Sequence, residues 1–249
     1  FKGMSCLPPE ERRCLVSLSI GGGDAVEIRE FDAGTLEFVE NGFFLPEAKQ
    51  NISWIDTDTV FVGTDFGAGS RTESGFPRIV KRWRRGTPLS SAETIYEGAS
   101  SSVSSSARRI RTASGNIDLI EEGLDFWTRK RFVFEGSTLR SLPIPETSLI
   151  EGAVAGRLVV GLQAPWKEYT AGSVLLVDPA TMRTELLVAS TATSIVQTTS
   201  VSVTERGIFV PVLDNVRGRL LRFKSGQPAE TIAFPDHGAL SIATTDDET

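Results

Sequence analysis

Short apolar or alternating runs recur along the chain, and residues typical of turns separate them. The runs are rich in Val, Ile and Phe, which favours β-strands over helices. They cover residues 14–18, 26–31, 60–62, 79–83, 132–134, 158–160, 174–177, 208–213 and 220–223. Only 8–13 and 46–50 suggest helix, about one turn each. The pattern predicts an all-β chain.

The strand pattern also repeats along the chain. Glu93–Tyr96 returns as Glu230–Ala233, an offset of 137 residues or three periods of about 46. Asp32–Thr35 returns as Asp178–Thr181, an offset of 146 residues. A period of 40 to 50 residues with about four strands in each is typical of a β-propeller, because one blade cannot bury both of its faces without neighbours.

We therefore predict a single β-propeller domain over residues 1–249, with about five four-stranded blades. Within each blade, the second strand is the most apolar and should be buried on both faces. The predicted blades are 1–48, 49–98, 99–146, 147–190 and 191–236, and the start of a further blade covers 237–249.

Composition excludes several classes of protein. A net charge of -6 and a pI near 5.1 argue against nucleic acid as a partner, since phosphate binding needs a basic face. No apolar stretch is long enough to cross a membrane, so we expect no membrane partner. No signal-peptide pattern follows Phe1, so we expect a cytoplasmic location, with the periplasm as the alternative.

Residues that could carry chemistry are few. Cys6 and Cys14 are the only cysteines, which we interpret as two free thiols, with a cross-strand disulfide as the alternative. The only histidine, His237, stands in a turn-like setting, so we interpret it as a loop residue and not a general base. The chain has no Gly-x-Ser-x-Gly motif, zinc pattern or phosphate loop. We therefore expect no catalytic residue, no metal site and no cofactor in this chain.

Two other stretches of the sequence are candidate binding features. The basic run 78–85 is extended by cations at 108–111 and 129–131. It predicts either an outer strand, in which the aliphatic parts of the basic side chains cover aromatic rings, or a positive surface that attracts acidic peptides. The loop Asp65–Pro77 is long for a connection between strands, and its glycines predict mobility. Either it is passive surface, or it contacts or gates substrate through Asp65, Phe66, Gly67, Gly69, Arg71, Glu73, Gly75 and Phe76.

Several segments of the sequence resemble the propeller domain of bacterial prolyl oligopeptidase family serine peptidases. The segments are residues 42–49, 53–56, 62–67, 74–83 and 212–220, and the resemblance is weakest over residues 100–150. The resemblance implies a parent enzyme with a seven-bladed propeller and a C-terminal α/β-hydrolase domain, which holds a Ser-Asp-His triad. It also implies cleavage of short proline-containing peptides without metal or organic cofactor, and a gating role for 65–77.

The resemblance therefore implies that this chain is the substrate-gating propeller of such a peptidase, and we expect it to be inactive by itself. Its partners would be its own catalytic domain and short peptides. One alternative is a stand-alone propeller that binds proteins or peptides. Another is a propeller enzyme using acids that face the channel, for which Asp65, Asp125, Asp178 and Asp214 are candidates, although these acids also suit strand ends.

Overall fold

The chain folds into five antiparallel sheets in a computed structural model, which describes residues 1–204, 206–224, 226–234, 238, 240 and 242. The first sheet contains β1 Gly3–Cys6, β2 Arg13–Leu18, β3 Val26–Asp32, β4 Glu37–Phe38 and β5 Phe44–Ala48. The second contains β6 Asn51–Asp56, β7 Thr59–Gly63, β8 Ile79–Arg84 and β9 Glu93–Glu97. The third contains β10 Ser104–Thr112, β11 Gly115–Gly123, β12 Arg129–Glu135 and β13 Thr138–Ser141.

The remaining two sheets follow the same plan. The fourth contains β14 Leu149–Val154, β15 Arg157–Gly161, β16 Val174–Val177 and β17 Thr184–Val188. The fifth contains β18 Ser194–Val196, β19 Ser202–Thr204, β20 Gly207–Asp214, β21 Arg217–Phe223 and β22 Glu230–Ile232. In each sheet successive strands pair as neighbours, apart from β5, which pairs with β3, and β18 and β19, which both pair with β20. The all-β propeller class predicted from the sequence is confirmed.

The chain divides into two compact units. The first comprises 1–109 and 118–141, and the second comprises 110–117 and the described residues from 142 onward. The blade limits of the sequence analysis stay a prediction, and the expected further blade at 237–249 lies almost entirely outside the described residues. Among the described residues, no helix combines the length and apolarity that a membrane span requires.

Each unit has its own apolar core, built by the middle strands. In the first unit one cluster joins the first two sheets around Phe43 and Trp54, and another joins the second and third sheets around Phe61 and Ile120. In the second unit, β15 and β16 bury Val159, Val174 and their neighbours against the fifth sheet. The burial of apolar middle strands on both faces is what the sequence pattern predicted.

The repeated phrases occupy equivalent places. Glu93–Tyr96 lies in β9 and its counterpart begins β22, each the last strand of its sheet. Asp32 ends the third strand of its sheet, Asp178 directly follows the third strand of its own, and each caps the next turn. Oδ1 of Asp32 accepts hydrogen bonds from the N–H groups of Gly34 and Thr35, at 2.9 and 3.2 Å. Oδ1 of Asp178 accepts the equivalent pair at 2.8 and 3.2 Å. The repeat therefore encodes turn chemistry as well as strand spacing.

Neither predicted helical turn forms. Residues 8–10 make a turn that contains a cis Pro8–Pro9 bond. Pro46 lies inside β5, whose register with β3 shifts beside it. An edge strand tolerates proline because the missing N–H can face away from the ladder. Within the described residues, two short helices occur, and both are 3₁₀ turns, Leu89–Ser91 and Thr198–Ser200.

The expectation of two free thiols is also wrong. Antiparallel pairing of β1 with β2 sets Cys6 directly opposite Cys14, with the Cα atoms 3.9 Å apart, and the two sulfurs form a disulfide. The strand register decides this pairing, and the spacing of the two cysteines along the chain did not reveal it.

Candidate functional site

The long loop, residues 65–77, joins β7 to β8 and is tightly ordered in its first half. The carboxylate of Asp65 accepts the Gly67 N–H at 2.9 Å, and the Phe66 N–H donates to the Ser70 hydroxyl at 2.9 Å. That hydroxyl is buried and also lies 2.6 Å from the Gly67 carbonyl oxygen. The hydrogen bond from Gly67 lowers the pKa of Asp65 more than its partial burial raises it. This half is a closed turn around a buried serine.

The second half of the long loop is fastened to the link segment, residues 99–103, which leads from the second sheet to the third. The Glu73 N–H donates to the Ser100 carbonyl at 2.8 Å. The hydroxyls of Thr72 and Ser74 both lie 3.0 Å from the Val103 carbonyl oxygen. The position of this half therefore depends on the position of the link segment.

The end of the long loop is secured to the strands around it. The Pro77 carbonyl accepts the Ser105 N–H at 2.7 Å, and the Arg78 guanidinium donates to the carbonyls of Gly69 and Gly98, at 2.5 and 2.9 Å. These bonds tie both halves of the loop to one another and to β10.

A buried carboxylate anchors the link segment. Glu122 is 3% exposed, and it accepts hydrogen bonds at 2.7 Å from the Ala99 N–H, the Ser102 hydroxyl and the Tyr96 hydroxyl. Burial raises the pKa of Glu122, but the three hydrogen bonds and the positive charge of Lys130 outweigh it and hold the pKa below its ordinary value. Burial and the carboxylate together raise the pKa of Tyr96. Glu122 is thus a positioning residue for the link segment.

The glycines of the long loop serve its backbone geometry. Gly67, Gly69 and Gly75 have φ values of +103°, +78° and +81°, which L side chains rarely adopt. This requirement accounts for the three glycines without the mobility that the sequence suggested.

The two aromatic residues of the long loop lie under cations. Phe66 packs against the core of the first two sheets, and Lys81 Nζ lies 4.6 Å from the centre of its ring. Lys49 Nζ lies 4.4 Å from the ring centre of Phe76 and donates to the Ser74 carbonyl at 3.1 Å. Both rings are therefore held in place.

The solvent side of the long loop is polar. Arg71 Nε lies 3.4 Å from Asp65 Oδ2, and the carboxylate of Glu73 is exposed. An open cavity of about 570 Å³ is lined by Asp65, Gly67, Arg71, Glu73, Gly75 and their neighbours. Six of the eight predicted residues therefore line this cavity, whereas Phe66 packs against the core and Phe76 lies against Lys49. Their role in gating stays a prediction.

Ion pairs within the sheets neutralise several cations of the basic stretch, whereas Arg129 and Lys130 stay exposed. Arg82 pairs with Glu93 at 2.6 Å, Arg109 with Asp118 at 2.7 Å and Arg131 with Glu121 at 3.0 Å. The structure fits better with the other interpretation, in which long basic side chains cover aromatic rings, because the guanidinium of Arg85 lies 4.6 Å from the ring centre of Phe43.

The acids considered for a channel site stabilise local structure instead. Asp125 accepts N–H groups of Trp127 and Thr128, Asp178 caps its turn, and Asp214 pairs with Arg219 at 2.8 Å. The described residues contain no group of three or more His, Cys, Asp or Glu side chains that could hold a metal. His237 lies outside the described residues.

Sequence reasoning missed the two most buried carboxylates. Glu122 stands in an alternating run, where it looks like a surface residue, and Glu30 looks the same in β3. The carboxylate of Glu30 is fully buried and binds Arg85 through two contacts, at 2.7 and 3.0 Å. Only the positions of Glu30 and Glu122 within the stacked sheets distinguish them from exposed glutamates.

Comparison with known proteins places these features in a family. Residues 1–133 match the family model of the prolyl oligopeptidase N-terminal β-propeller domain. An uncharacterized peptidase of Sinorhizobium fredii is 31% identical over all of this chain, which covers 37% of that protein. An uncharacterized peptidase of Rickettsia prowazekii is 23% identical over 90% of this chain, which covers 34% of it.

The solved structure of a post-proline cleaving enzyme from Rickettsia typhi has the same fold over 94% of this chain and 38% of the enzyme, with a TM-score of 0.81 and 22% identity. The chain thus spans about a third of the length of the curated relatives that it matches. The matched region 1–133 contains the long loop, the link segment and Glu122. The family match and the five-sheet fold together show that this chain belongs to the prolyl oligopeptidase family, as its N-terminal β-propeller domain.

Proposed function

We propose that this propeller limits which peptides reach the catalytic domain of a serine peptidase, and that the long loop is the gate. The observation that carries the proposal is the family match over residues 1–133, which includes the whole long loop. The relatives are named peptidases and are about three times as long as this chain, which supports a catalytic domain as the intramolecular partner.

The substrates proposed are short proline-containing peptides, and the catalytic domain is an α/β-hydrolase domain with its own nucleophile. The 249 residues contain no Gly-x-Ser-x-Gly motif, so the propeller contributes selection and not bond cleavage. The polar surface made by Arg71, Glu73 and the backbone of the glycine turns suits transient contact with peptide groups.

Shortening the long loop in the complete gene product tests the proposal. Replacing residues 66–75 by two glycines should raise kcat/KM for longer peptides several-fold and leave dipeptide-sized substrates nearly unchanged, because a gate acts on access and not on chemistry. The matched control shortens 163–173, the corresponding connection of the fourth sheet. Equal effects on both substrate sizes, or an equal effect of the control, would show that the long loop is passive surface.

The cellular location stays a prediction. The Cys6–Cys14 disulfide supports the periplasmic alternative over the cytoplasmic expectation, since disulfides persist in oxidising compartments.

A further inference from the structure

Two large aromatic side chains stand fully in solvent at the turn between β11 and β12. Phe126 is 81% exposed and Trp127 is 80% exposed. The turn beneath them is rigid, because Asp125 accepts the N–H groups of Trp127 and Thr128, both at 2.7 Å, and the Leu124 N–H donates to the Thr128 carbonyl at 2.9 Å. Contiguous exposed apolar surface on an ordered turn is typical of a binding surface.

Two exposed cations continue this surface along β12. Arg129 and Lys130 follow the aromatic pair and are exposed. Their charges lower the pKa of Asp125 and of Glu122, respectively, although neither cation forms an ion pair with another described residue. The next residue, Arg131, is buried and pairs with Glu121 at 3.0 Å, so the free cations are confined to the exposed end of the strand. We call Phe126, Trp127, Arg129 and Lys130 the aromatic tip.

The aromatic tip emerges at the same end of the sheets as the long loop. β6 and β10 run parallel, because three contacts join them at a constant offset: Asn51 to Ser105, Ser53 to Ala107 and Ile55 to Arg109. Each of these strands is followed by an antiparallel partner, so the β7–β8 and β11–β12 connections leave their sheets at one end. The Val103 N–H also donates to the Gly123 carbonyl at 2.7 Å, which joins the link segment to the base of the tip.

The size and charge of the aromatic tip select its occupant. Two aromatic side chains supply about 300–500 Å² of contact surface, whereas a stable protein interface needs about 800 Å² on each partner. The tip therefore suits a short peptide better than a folded protein. The exposed cations favour carboxylates, and exposed rings stack on apolar or proline side chains.

We propose that the aromatic tip is a docking site for peptides that carry apolar residues next to carboxylates. This inference rests on the proposed function, since it names the class of peptide that collects beside the gate. The rings of Phe126 and Trp127 supply the contact area, and Arg129 and Lys130 supply the preference for acidic peptides. The aromatic tip thereby favours peptides according to their amino-acid composition, whereas the long loop selects peptides according to their size.

Titration of the 249-residue protein with a short peptide tests the site directly. The indole N–H resonance of Trp127, assigned with Trp127→Phe, is followed as acetyl-Glu-Phe-Pro-Glu-amide is added, and acetyl-Gln-Phe-Pro-Gln-amide is the uncharged comparison. We expect a saturable shift, with about five-fold weaker binding of the uncharged peptide, the equivalent of about 1 kcal/mol of charge interaction. The double variant Phe126→Ser/Trp127→Ser should bind about ten-fold more weakly.

Two further variants separate the aromatic and ionic contributions. Arg129→Gln/Lys130→Gln should abolish the difference between the two peptides. Leu36→Ser, at the turn between β3 and β4, removes a residue that is 75% exposed and should change nothing. All these side chains are exposed, so unfolding midpoints should match that of the parent chain.

Absence of a saturable shift at millimolar peptide, or equal affinity for both peptides, would overturn the proposal. Protection of Trp127 from acrylamide quenching in the complete gene product without peptide would also overturn it, because the tip would then be covered by the rest of that chain. These outcomes are distinct from failure of the gate, which is read from size selectivity after loop shortening.

Discussion

The ion pair between Glu30 and Arg85 gives the sharpest test of how the first two sheets are held together. The carboxylate of Glu30 is fully buried, whereas the side chain of Arg85 is 25% exposed, and the two are 55 residues apart in the chain. Glu30 also accepts the Phe43 N–H at 2.9 Å, and Arg13 approaches it only to 3.5 Å. Removing Arg85 therefore leaves a buried carboxylate with one good hydrogen bond.

The cost follows from this geometry. Removing one partner of a buried pair costs about 3–5 kcal/mol, because the remaining charge stays desolvated. Arg85 is partly exposed and Arg13 remains nearby, so we expect the lower value, about 3 kcal/mol. For a chain of this size, Arg85→Met should lower the unfolding midpoint by about 6–12 °C.

A matched control and a second variant make the test specific. Arg82→Met removes a cross-strand pair of the second sheet whose partners are 38% and 52% exposed, and it should cost less than about 1 kcal/mol. Adding Glu30→Gln to Arg85→Met should restore part of the loss, because the amide is neutral and can still accept the Phe43 N–H.

Thermal unfolding at neutral pH, followed by circular dichroism, compares four variants: Arg85→Met, Arg82→Met, Glu30→Gln and the double variant Glu30→Gln/Arg85→Met. The reasoning would be refuted if Arg85→Met lowered the midpoint no more than Arg82→Met. It would also fail if the effects of Arg85→Met and Glu30→Gln were simply additive, since partners in one buried pair must couple.

Three more outcomes are expected. Glu122→Gln loses at least one of three accepted hydrogen bonds, so amide hydrogen exchange in the link segment and the long loop should become about ten-fold faster. The control Glu93→Gln should leave the exchange rates unchanged. Unchanged exchange in Glu122→Gln would contradict the role of Glu122 as the anchor of the link segment. Cys14→Ser should cost about 2–3 kcal/mol in denaturant unfolding, and alkylation with mass measurement should find no free thiol in the unmodified protein. The hydrogen bond from Arg12 lowers the pKa of Asp32 from 3.8 to about 2, so the unfolded state binds the proton first and this stabilisation is lost as pH falls through that interval. Asp32→Asn should therefore flatten the dependence of the unfolding midpoint on pH between those values, and an unchanged slope would contradict the assignment.

Much of the architecture was available from local patterns. Alternating apolar positions predicted the strands, and phrases such as Asp32–Thr35 and Asp178–Thr181 predicted the repeat, because period-two burial and turn capping depend only on nearby residues. The long loop was visible because it interrupts that period. The prediction of free thiols at Cys6 and Cys14 failed because strand pairing sets the two cysteines opposite each other. The prediction of a helical turn at 46–50 failed because Pro46 lies in an edge strand.

The sequence by itself therefore determined the class of fold, the repeat and the family, since each is written in short-range patterns or in phrases of a few residues. Only the tertiary structure decided which charges are buried and which aromatics are exposed. Glu30 meets Arg85 because two sheets stack, Glu122 is buried because the link segment crosses it, and Phe126 and Trp127 stay in solvent because their turn projects beyond β11 and β12. Such contacts join residues far apart in the chain, so no local pattern can specify them.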